Sequence, residues 1–227
     1  MKKTLTILLG AMLIVANLKA SYESGFYFGI NAGGSYDYNK VDEDNTRPIN
    51  RGKKLNGCAL QEGVFLGYLY RFQESMMAMG VEHSSNISSY SKSWNSVDQS
   101  GSIYYNNKLI RNYTGSFVGK FGTILKDEWF LYGLLGVEVS CFKYDLTIFR
   151  DGTGAAPEGA KTSKTLLGLC YGIGFEREIQ EHWRLGFEVK NIHYRSKEMT
   201  ASTAIGHDKL KPKLNTVYAG LRLSYAF

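Results

Sequence analysis

The sequence predicts an all-β protein, an eight-stranded antiparallel up-and-down barrel that crosses a membrane, on three observations. First, aromatic residues make up 14% of the 227 residues and Gly occurs 25 times, whereas Pro occurs 3 times, a composition that favours strands. Second, eight segments alternate large apolar residues with small or polar ones at a period of two. Third, short and long connections alternate between those segments, as in transmembrane β-barrels. The mean hydropathy of −0.24 excludes a bundle of transmembrane helices.

Residues 1–20 are predicted to be a secretory signal peptide. Lys2 and Lys3 precede an apolar run that is shorter than the roughly 20 residues a membrane-spanning helix needs. Cleavage after this segment leaves one barrel domain at 21–227. Without Lys2, Lys3 and Lys19, 24 of the 27 basic residues remain against 21 acidic ones, a net charge of +3. No basic cluster is interleaved with aromatic residues, so we expect no nucleic-acid partner.

The first four predicted strands each show two chemically different faces. The strand at 25–36 alternates Phe, Phe, Ile and Ala with Tyr, Gly, Asn and Gly. The strand at 60–72 alternates Val, Leu and Tyr with a face that contains two Gly residues. At 76–85, Met and Val oppose Ala, Gly and Glu, and at 112–123, Tyr and Phe oppose Thr, Ser and Lys. Each segment therefore presents one large apolar face and one smaller, more polar face.

The last four predicted strands repeat this pattern. At 130–144, Leu and Val oppose Tyr, Gly, Glu and Ser, and at 164–177, Leu, Tyr, Ile and Phe oppose Gly and Glu. At 183–194, Trp, Leu, Phe and Val oppose Arg, Gly, Glu and Lys. The final segment, 214–227, alternates Val, Ala, Leu, Tyr and Phe with Tyr, Gly, Arg and Ser. Gly and charged residues thus recur on the same face as the strands succeed one another.

The sidedness of the strands separates a membrane barrel from a soluble one. A soluble barrel fills its interior with bulky apolar residues, where Gly and Glu would leave voids and unpaired charge. A membrane barrel turns its apolar face to lipid and its small polar face to the lumen. The pattern favours the second arrangement, and a soluble periplasmic barrel of the calycin type remains the alternative.

The connections are consistent with a membrane barrel. Short turns are expected on the periplasmic side, around 73–75, 125–128 and 178–182. Four long external loops are expected at 37–59, 86–111, 145–163 and 195–213. A count of ten strands remains open if residues 93–105 form an additional hairpin.

Four segments of the chain resemble a known family. They are the opening 25–29 (GFYFG), 80–82 (GVE), 172–176 (GIGFE) and the ending 220–227 (GLRLSYAF). Over 21–227 the chain resembles the small outer-membrane barrels of the outer-membrane protein A-like type and the opacity-type surface antigens. The resemblance implies a location in the outer membrane of a Gram-negative bacterium, with membrane lipid as the surroundings.

The last strand carries a further consequence of that resemblance. Its alternating apolar residues, ending in Tyr225 and Phe227, are similar to the family's signal for the barrel-assembly machinery. Relatives include structural proteins, slow pores and adhesins, so the family implies fold and location rather than one activity. We expect a monomer with a structural or surface-antigen role and slow small-solute passage, and an adhesin-like protein is the alternative.

Parity along the strands also assigns charged residues to the lumen. An eight-stranded barrel is narrow and filled by its own side chains, so opposite charges are expected to pair across it. We expect Lys120 and Arg222 each to pair with at least one of Glu82, Glu138 and Glu176. Such pairs would form either a fixed plug or a gate. The predicted lumen charge network comprises Glu82, Lys120, Glu138, Glu176, Arg184, Glu188, Lys190 and Arg222.

The second long loop is the candidate recognition surface. It carries aromatic residues among Ser and Asn, a mixture that suits protein recognition. A host or cell-surface ligand would therefore be expected to contact Tyr90, Trp94, Tyr104 and Tyr105.

No residue pattern indicates catalysis or a cofactor. The four His residues show no metal-binding spacing, and no Ser lies in a nucleophile motif, so we expect no enzyme activity, no metal and no cofactor. The odd number of cysteines, Cys58, Cys141 and Cys170, leaves at least one thiol without a partner in the chain. We expect free, largely buried thiols, and one disulfide is the alternative.

Overall fold

The structure is a computed structural model, and it describes residues 23–43, 53–73, 75–97, 101–126, 128–150, 158–203 and 206–227. The predicted signal peptide at 1–20 lies outside the described residues. Among the residues that the structure describes, no helix is long and apolar enough to cross a bilayer.

Eight antiparallel strands close into a barrel, as the alternation predicts. The barrel strands are β1 (Gly25–Asp37), β4 (Gly57–Arg71), β5 (Met77–Val97), β6 (Ile103–Leu125), β7 (Trp129–Arg150), β8 (Glu158–Gln180), β9 (Trp183–Tyr194) and β12 (Asn215–Ala226). In the ring, each strand is hydrogen-bonded to its neighbours in the order β1–β12–β9–β8–β7–β6–β5–β4, and β4 returns to β1. Ala32 of β1 faces Leu221 of β12, which closes the ring.

The outer face of the barrel is apolar, as a lipid-facing surface must be. Phe26, Leu135 and Ile173 are 63%, 62% and 70% exposed on this face. By contrast, Glu138 and Arg222 are buried inside the ring. A soluble barrel would have the reverse arrangement, so the calycin-type alternative is wrong.

Beyond the barrel, the predicted external loops are largely folded strands. β5 to β8 contain 21, 23, 22 and 23 residues, about twice the roughly 9–11 residues needed to cross a bilayer. Of the segment 93–105, considered as an extra hairpin, residues 93–97 and 103–105 instead extend β5 and β6, and they add no strand to the ring. The described residues of the predicted loops at 86–111 and 145–163 are therefore mostly strand.

A second sheet stands above the outer end of β1 and β12. Its order is β10–β11–β2–β3, and it is formed by β2 (Lys40–Glu43), β3 (Lys53–Lys54), β10 (Met199–Thr203) and β11 (Gly206–Lys213). β2 follows β1 after a two-residue break, and β11 leads into β12 after a single residue. The amide of Tyr38 donates to the carbonyl of Asn215 over 3.1 Å at this junction. The second sheet thus continues the barrel wall outwards.

The apolar residues change sides between the membrane-spanning and external parts of one strand. In the spanning part of β7, Leu135 and Val139 face outwards and are exposed. Further along, Phe142 and Leu146 face inwards and are buried. The external strands and the second sheet therefore enclose an apolar core of their own. It includes Val41, Leu55, Tyr90, Trp94, Tyr105, Leu109, Phe142, Tyr144, Leu146, Ile148, Met199, Ala201 and Leu210.

Candidate functional site

All eight charged residues assigned to the lumen by parity lie inside the barrel and are buried. Four are acidic and four are basic, so their formal charges cancel. Buried charge is costly unless it is paired, and a balanced set allows each charge to find a partner. They are Glu82, Lys120, Glu138, Glu176, Arg184, Glu188, Lys190 and Arg222.

Arg222 is the centre of the larger cluster. Its Nη1 donates to Glu82 Oε1 and to Glu188 Oε2, both over 3.0 Å, and its Nη2 contacts Glu82 Oε2. Its Nε lies 3.3 Å from Glu176 Oε1. The guanidinium carbon also lies 3.8 Å from the centre of the Phe65 ring. One arginine therefore neutralises three carboxylates and rests on an aromatic face.

Lys120 completes this cluster from the opposite wall. Its Nζ donates to Glu82 Oε2 over 2.7 Å and to Glu176 Oε1 over 3.3 Å. The ammonium also lies 4.5 Å from the centre of the Tyr132 ring. Lys120 and Arg222 therefore both meet Glu82 and Glu176, and the cluster holds three carboxylates and two cations.

A second pair lies nearer the outer end of the barrel. Lys190 Nζ lies 3.5 Å from Glu138 Oε2, and the hydroxyl of Tyr194 donates to Glu138 Oε1 over 2.5 Å. Glu138 has no ion pair with Lys120 or Arg222. At the short-turn end, Arg184 is buried and faces Glu178 in the register of β8 and β9.

Tyrosines that the sequence reasoning left out of the site complete the hydrogen bonding of the carboxylates. Tyr27 donates to Glu82 Oε2 over 2.9 Å, and the hydroxyl of Tyr132 lies 3.2 Å from both Glu176 Oε1 and Glu188 Oε2, so its one proton is shared between them. Both lie on the inward parity of their strands, and that parity was the signal that would have found them.

Glycines make room for the charged side chains. Gly186 faces Glu176 across β8 and β9, and a Cβ at Gly186 would lie 2.5 Å from Glu176 Cγ. A Cβ at Gly174 would lie 2.5 Å from the Tyr132 ring. The alternation of Gly with charged residues therefore has a packing cause in the narrow lumen.

A separate charged cluster closes the outer mouth of the barrel, and the sequence analysis did not identify it. Arg111 is fully buried, and its two terminal nitrogens contact the two oxygens of Asp37 over 2.8 and 3.2 Å. Nη1 also donates to Thr216 over 2.7 Å, and Nη2 to Ser35 over 2.9 Å. Nε donates to Ser88 over 3.2 Å, so every nitrogen of the guanidinium has an acceptor. We call this group the mouth cluster.

The structure corrects the predicted recognition surface. Tyr90, Trp94 and Tyr105 are 0%, 6% and 5% exposed, because the strands that carry them turn these side chains into the external core. Only Tyr104 of the four faces outwards, at 45% exposure. The hydroxyl of Tyr90 donates to the carbonyl of Leu55 over 3.0 Å, and burial raises the pKa of Tyr90 to about 12. Tyr90, Trp94 and Tyr105 thus form core and not a binding surface.

The remaining predicted residues have the following placements. Cys58, Cys141 and Cys170 form no disulfide; Cys170 is buried, Cys141 is half-buried and Cys58 is exposed, so the expectation of burial is wrong for Cys58. Phe227 is exposed at the barrel rim, where its ring packs edge-on against Tyr225 at 5.3 Å between ring centres. Among the described residues, no group of three or more His, Cys, Asp or Glu side chains is arranged to hold a metal ion.

Comparison with known proteins gives a match over nearly the whole chain. The family model described as the outer membrane protein beta-barrel domain matches residues 5–227. No curated protein sequence matches this chain.

Solved structures that resemble the chain include the following three bacterial proteins. Ail, the attachment invasion locus protein of Yersinia pestis, solved in complex with the heparin analogue sucrose octasulfate, is 17% identical, with 90% of this chain and 100% of that chain covered and a TM-score of 0.38. Neisserial surface protein A is 13% identical, with 90% and 98% covered and a TM-score of 0.43. OprG from Pseudomonas aeruginosa is 12% identical, with 90% and 98% covered and a TM-score of 0.43.

Proposed function

Because this chain belongs to the outer membrane protein β-barrel family, we propose that it serves as a closed structural barrel that displays a folded β-domain on the surface of a Gram-negative bacterium. The observation that carries the proposal is the pairing of charge in the lumen, where the buried Lys120, Lys190 and Arg222 together contact four buried carboxylates. The alternative of a slow pore requires these same pairs to exchange.

The contacts of the buried charges support a plug. In the larger cluster around Arg222, this arginine and Lys120 share the carboxylates of Glu82 and Glu176. Breaking one of these ion pairs therefore disturbs several others. The mouth cluster lies further out along the same interior and is satisfied at every nitrogen of Arg111. A solute would have to pass both clusters, which favours a closed barrel.

Planar-bilayer recording tests this proposal. The wild-type protein is expected to be silent, and Arg222→Ala, which removes the residue shared by three carboxylates, is expected to raise conductance. Glu138→Ala tests the second pair in the same way. The exposed Arg195 provides the matched control, Arg195→Ala, which is expected to remain silent. A small wild-type conductance that Arg222→Ala and Glu138→Ala alter would favour slow solute passage instead.

Adhesion is the second candidate function. The outward face of the paired external ends of β5 and β6 favours it. Tyr104, Asn106 and Lys108 alternate on the exposed side of β6, above the membrane. An aromatic ring among polar groups suits contact with another molecule. The double variant Tyr104→Ser, Lys108→Ser is expected to weaken attachment of expressing cells to host cells or matrix. Its control is Arg195→Ser, an exposed basic residue outside this hairpin. Unchanged attachment by the double variant would count against adhesion through this face.

A further inference from the structure

We propose that a row of lysines on the second sheet binds the phosphate groups of outer-leaflet lipids. Lys213 of β11 faces Lys40 of β2, and Lys40 faces Lys54 of β3, in direct cross-strand register. All three side chains are exposed. The proposal rests on the outer-membrane location of the barrel and goes beyond its structural role. We call Lys40, Lys54 and Lys213 the lysine row.

The lysine row is unfavourable by itself. Directly opposed residues in a sheet have Cβ atoms about 4.5–5.5 Å apart, and like charges at that distance repel each other. Among the residues that the structure describes, the side chains of these three lysines have no ion pair or hydrogen bond with a neighbour. Elsewhere in the same two strands, opposite charges face each other, because Lys211 of β11 lies opposite Asp42 of β2. A row of three opposed ammonium groups therefore indicates an anionic partner from outside the chain.

The position of the row indicates where that partner lies. Outward-facing residues of β1 have even numbers from Phe26 to Tyr36, and the same parity continues to Lys40. On β12 and β11 the outward parity runs from Leu221 and Val217 to Lys213. The lysine row is thus on the same side of the wall as the lipid-facing residues and directly beyond them. It does not face the apolar core of the external domain.

The lysine row lies just beyond the polar layer of the membrane, close enough for long side chains to reach it. Lys40 is four residues beyond Tyr36, which is about 13 Å along a strand at roughly 3.3 Å per residue and about 10 Å of height at a tilt of about 40°. A bilayer of roughly 40–45 Å with a hydrocarbon core of ~30 Å leaves about 5–8 Å of headgroup layer on each side. Long lysine side chains bend towards that layer while their stems stay on the protein surface.

Phosphate is the anionic group that suits the row. Lysine ammonium groups bind phosphate as compact point charges, and three of them at cross-strand spacing suit a headgroup with more than one phosphate. Because the row faces sideways along the wall, a lipid in the same leaflet reaches it directly. A soluble sulfated sugar is also anionic, but it is not held in the leaflet beside the row.

The test measures retention of a phosphorylated lipid by the full chain. Wild-type protein refolded in phosphatidylcholine nanodiscs would be titrated with diphosphoryl lipid A, and bound lipid counted by native mass spectrometry. The triple variant Lys40→Gln, Lys54→Gln, Lys213→Gln is expected to bind about 100-fold more weakly, since a lysine near an anionic surface contributes about fivefold. Lipid A without its phosphates is expected to show no difference between the two proteins.

A matched control uses three other exposed lysines, Lys143, Lys161 and Lys197. Lys161 faces Asp145 in the register, so it differs from the row in having an acidic neighbour. The control triple Gln variant is expected to retain diphosphoryl lipid A within about threefold of wild type. Unboiled gel mobility confirms that each variant has folded.

Three outcomes would overturn the proposal. If the row variant retained diphosphoryl lipid A as well as wild type does, the three lysines would not bind it. If the control variant lost as much lipid A binding as the row variant, the register of the three lysines would not matter. Tight binding of a soluble sulfated oligosaccharide by wild type, without retention of lipid A, would show that the partner is not a lipid. A further expectation separates binding from folding: in phosphatidylcholine alone the row variant is at least as heat-stable as wild type, and only wild type gains stability from lipid A.

Discussion

Replacing Arg222 with Met is expected to destabilise the barrel by about 3–5 kcal/mol, the usual cost of removing one partner from a buried ion pair. Arg222 contacts Glu82, Glu188 and Glu176, two of them over 3.0 Å and the third over 3.3 Å. Without it, three buried carboxylates face one ammonium, that of Lys120. Met retains much of the side-chain length, so the loss is chiefly one of charge and hydrogen bonds.

The assay is urea unfolding of the protein refolded in phosphatidylcholine vesicles. Tryptophan fluorescence reports the transition, because Trp129 and Trp183 lie at the short-turn ends of β7 and β9. Arg195→Met is the matched control, since Arg195 is exposed and its change is expected to cost less than about 0.5 kcal/mol.

A double-variant cycle separates the ion pairs from simple packing. Adding Glu82→Gln to Arg222→Met removes one of the uncompensated carboxylates, so the double variant is expected to be less destabilised than the sum of the single variants by about 0.5–3 kcal/mol. A loss below about 1 kcal/mol in Arg222→Met, or strict additivity in the double variant, would refute the view that this cluster holds the barrel together.

Three further predictions follow from the packing and exposure of single residues. Gly186→Val is expected to lower barrel stability by about 1–3 kcal/mol in the same urea assay, because its side chain would collide with Glu176, whereas an outward Gly133→Val has open space and should be nearly neutral. Leu146→Ala is expected to cost about 2–5 kcal/mol of external-domain stability, seen as faster proteolysis above an intact barrel; equal loss of the unboiled gel band would contradict two separate cores. Maleimide should label Cys58 rapidly in detergent and Cys170 only after unfolding. Rapid labelling that persists in the double variant Cys58→Ser, Cys141→Ser would count against this placement.

The alternation of side chains between the two faces of a strand explains which parts of the structure follow from the sequence. Because successive side chains alternate between faces, the eight spanning segments and the inward position of Glu138 and Arg222 follow from residue spacing alone. The partners of each charge do not follow, since spacing along one strand says nothing about distances across the lumen. Tyr27 and Tyr132 were missed because an aromatic residue on the inward face conflicts with the expectation of a small polar interior.

The external domain was missed because the solvent changes along the strands. Within the hydrocarbon the apolar face of β7 points outwards, at Leu135, and in the aqueous region it points inwards, at Leu146. The alternation of apolar and polar residues continues along the strand. In the hydrocarbon region the apolar face is the outward one, and in the aqueous region it is the inward one. If the outward face is assumed to be apolar along the whole strand, segments such as 86–111 have a polar and irregular pattern, which predicts loops.

The mouth cluster was hidden by a local irregularity in β6. The register against β7 shifts between Arg111 and Tyr113, so the inward residues have even numbers at Lys120 and odd numbers at Arg111 and Leu109. A β-bulge of this kind inserts one residue and reverses the parity of all that follows. Without pairing information, Arg111 reads as the exposed end of a loop.

The mouth cluster lies at the level where the lipid-facing part of the barrel ends and the water-exposed external domain begins, and there is a physical reason for this position. Below it the interior must be polar, because the apolar residues are turned to lipid, and above it the interior is the apolar core of the external domain. Arg111 supplies five donors at that level and meets Asp37, Ser35 and Thr216, which come from two other strands. The arginine therefore joins the wall across the boundary, and it allows one set of strands to support two cores of opposite polarity.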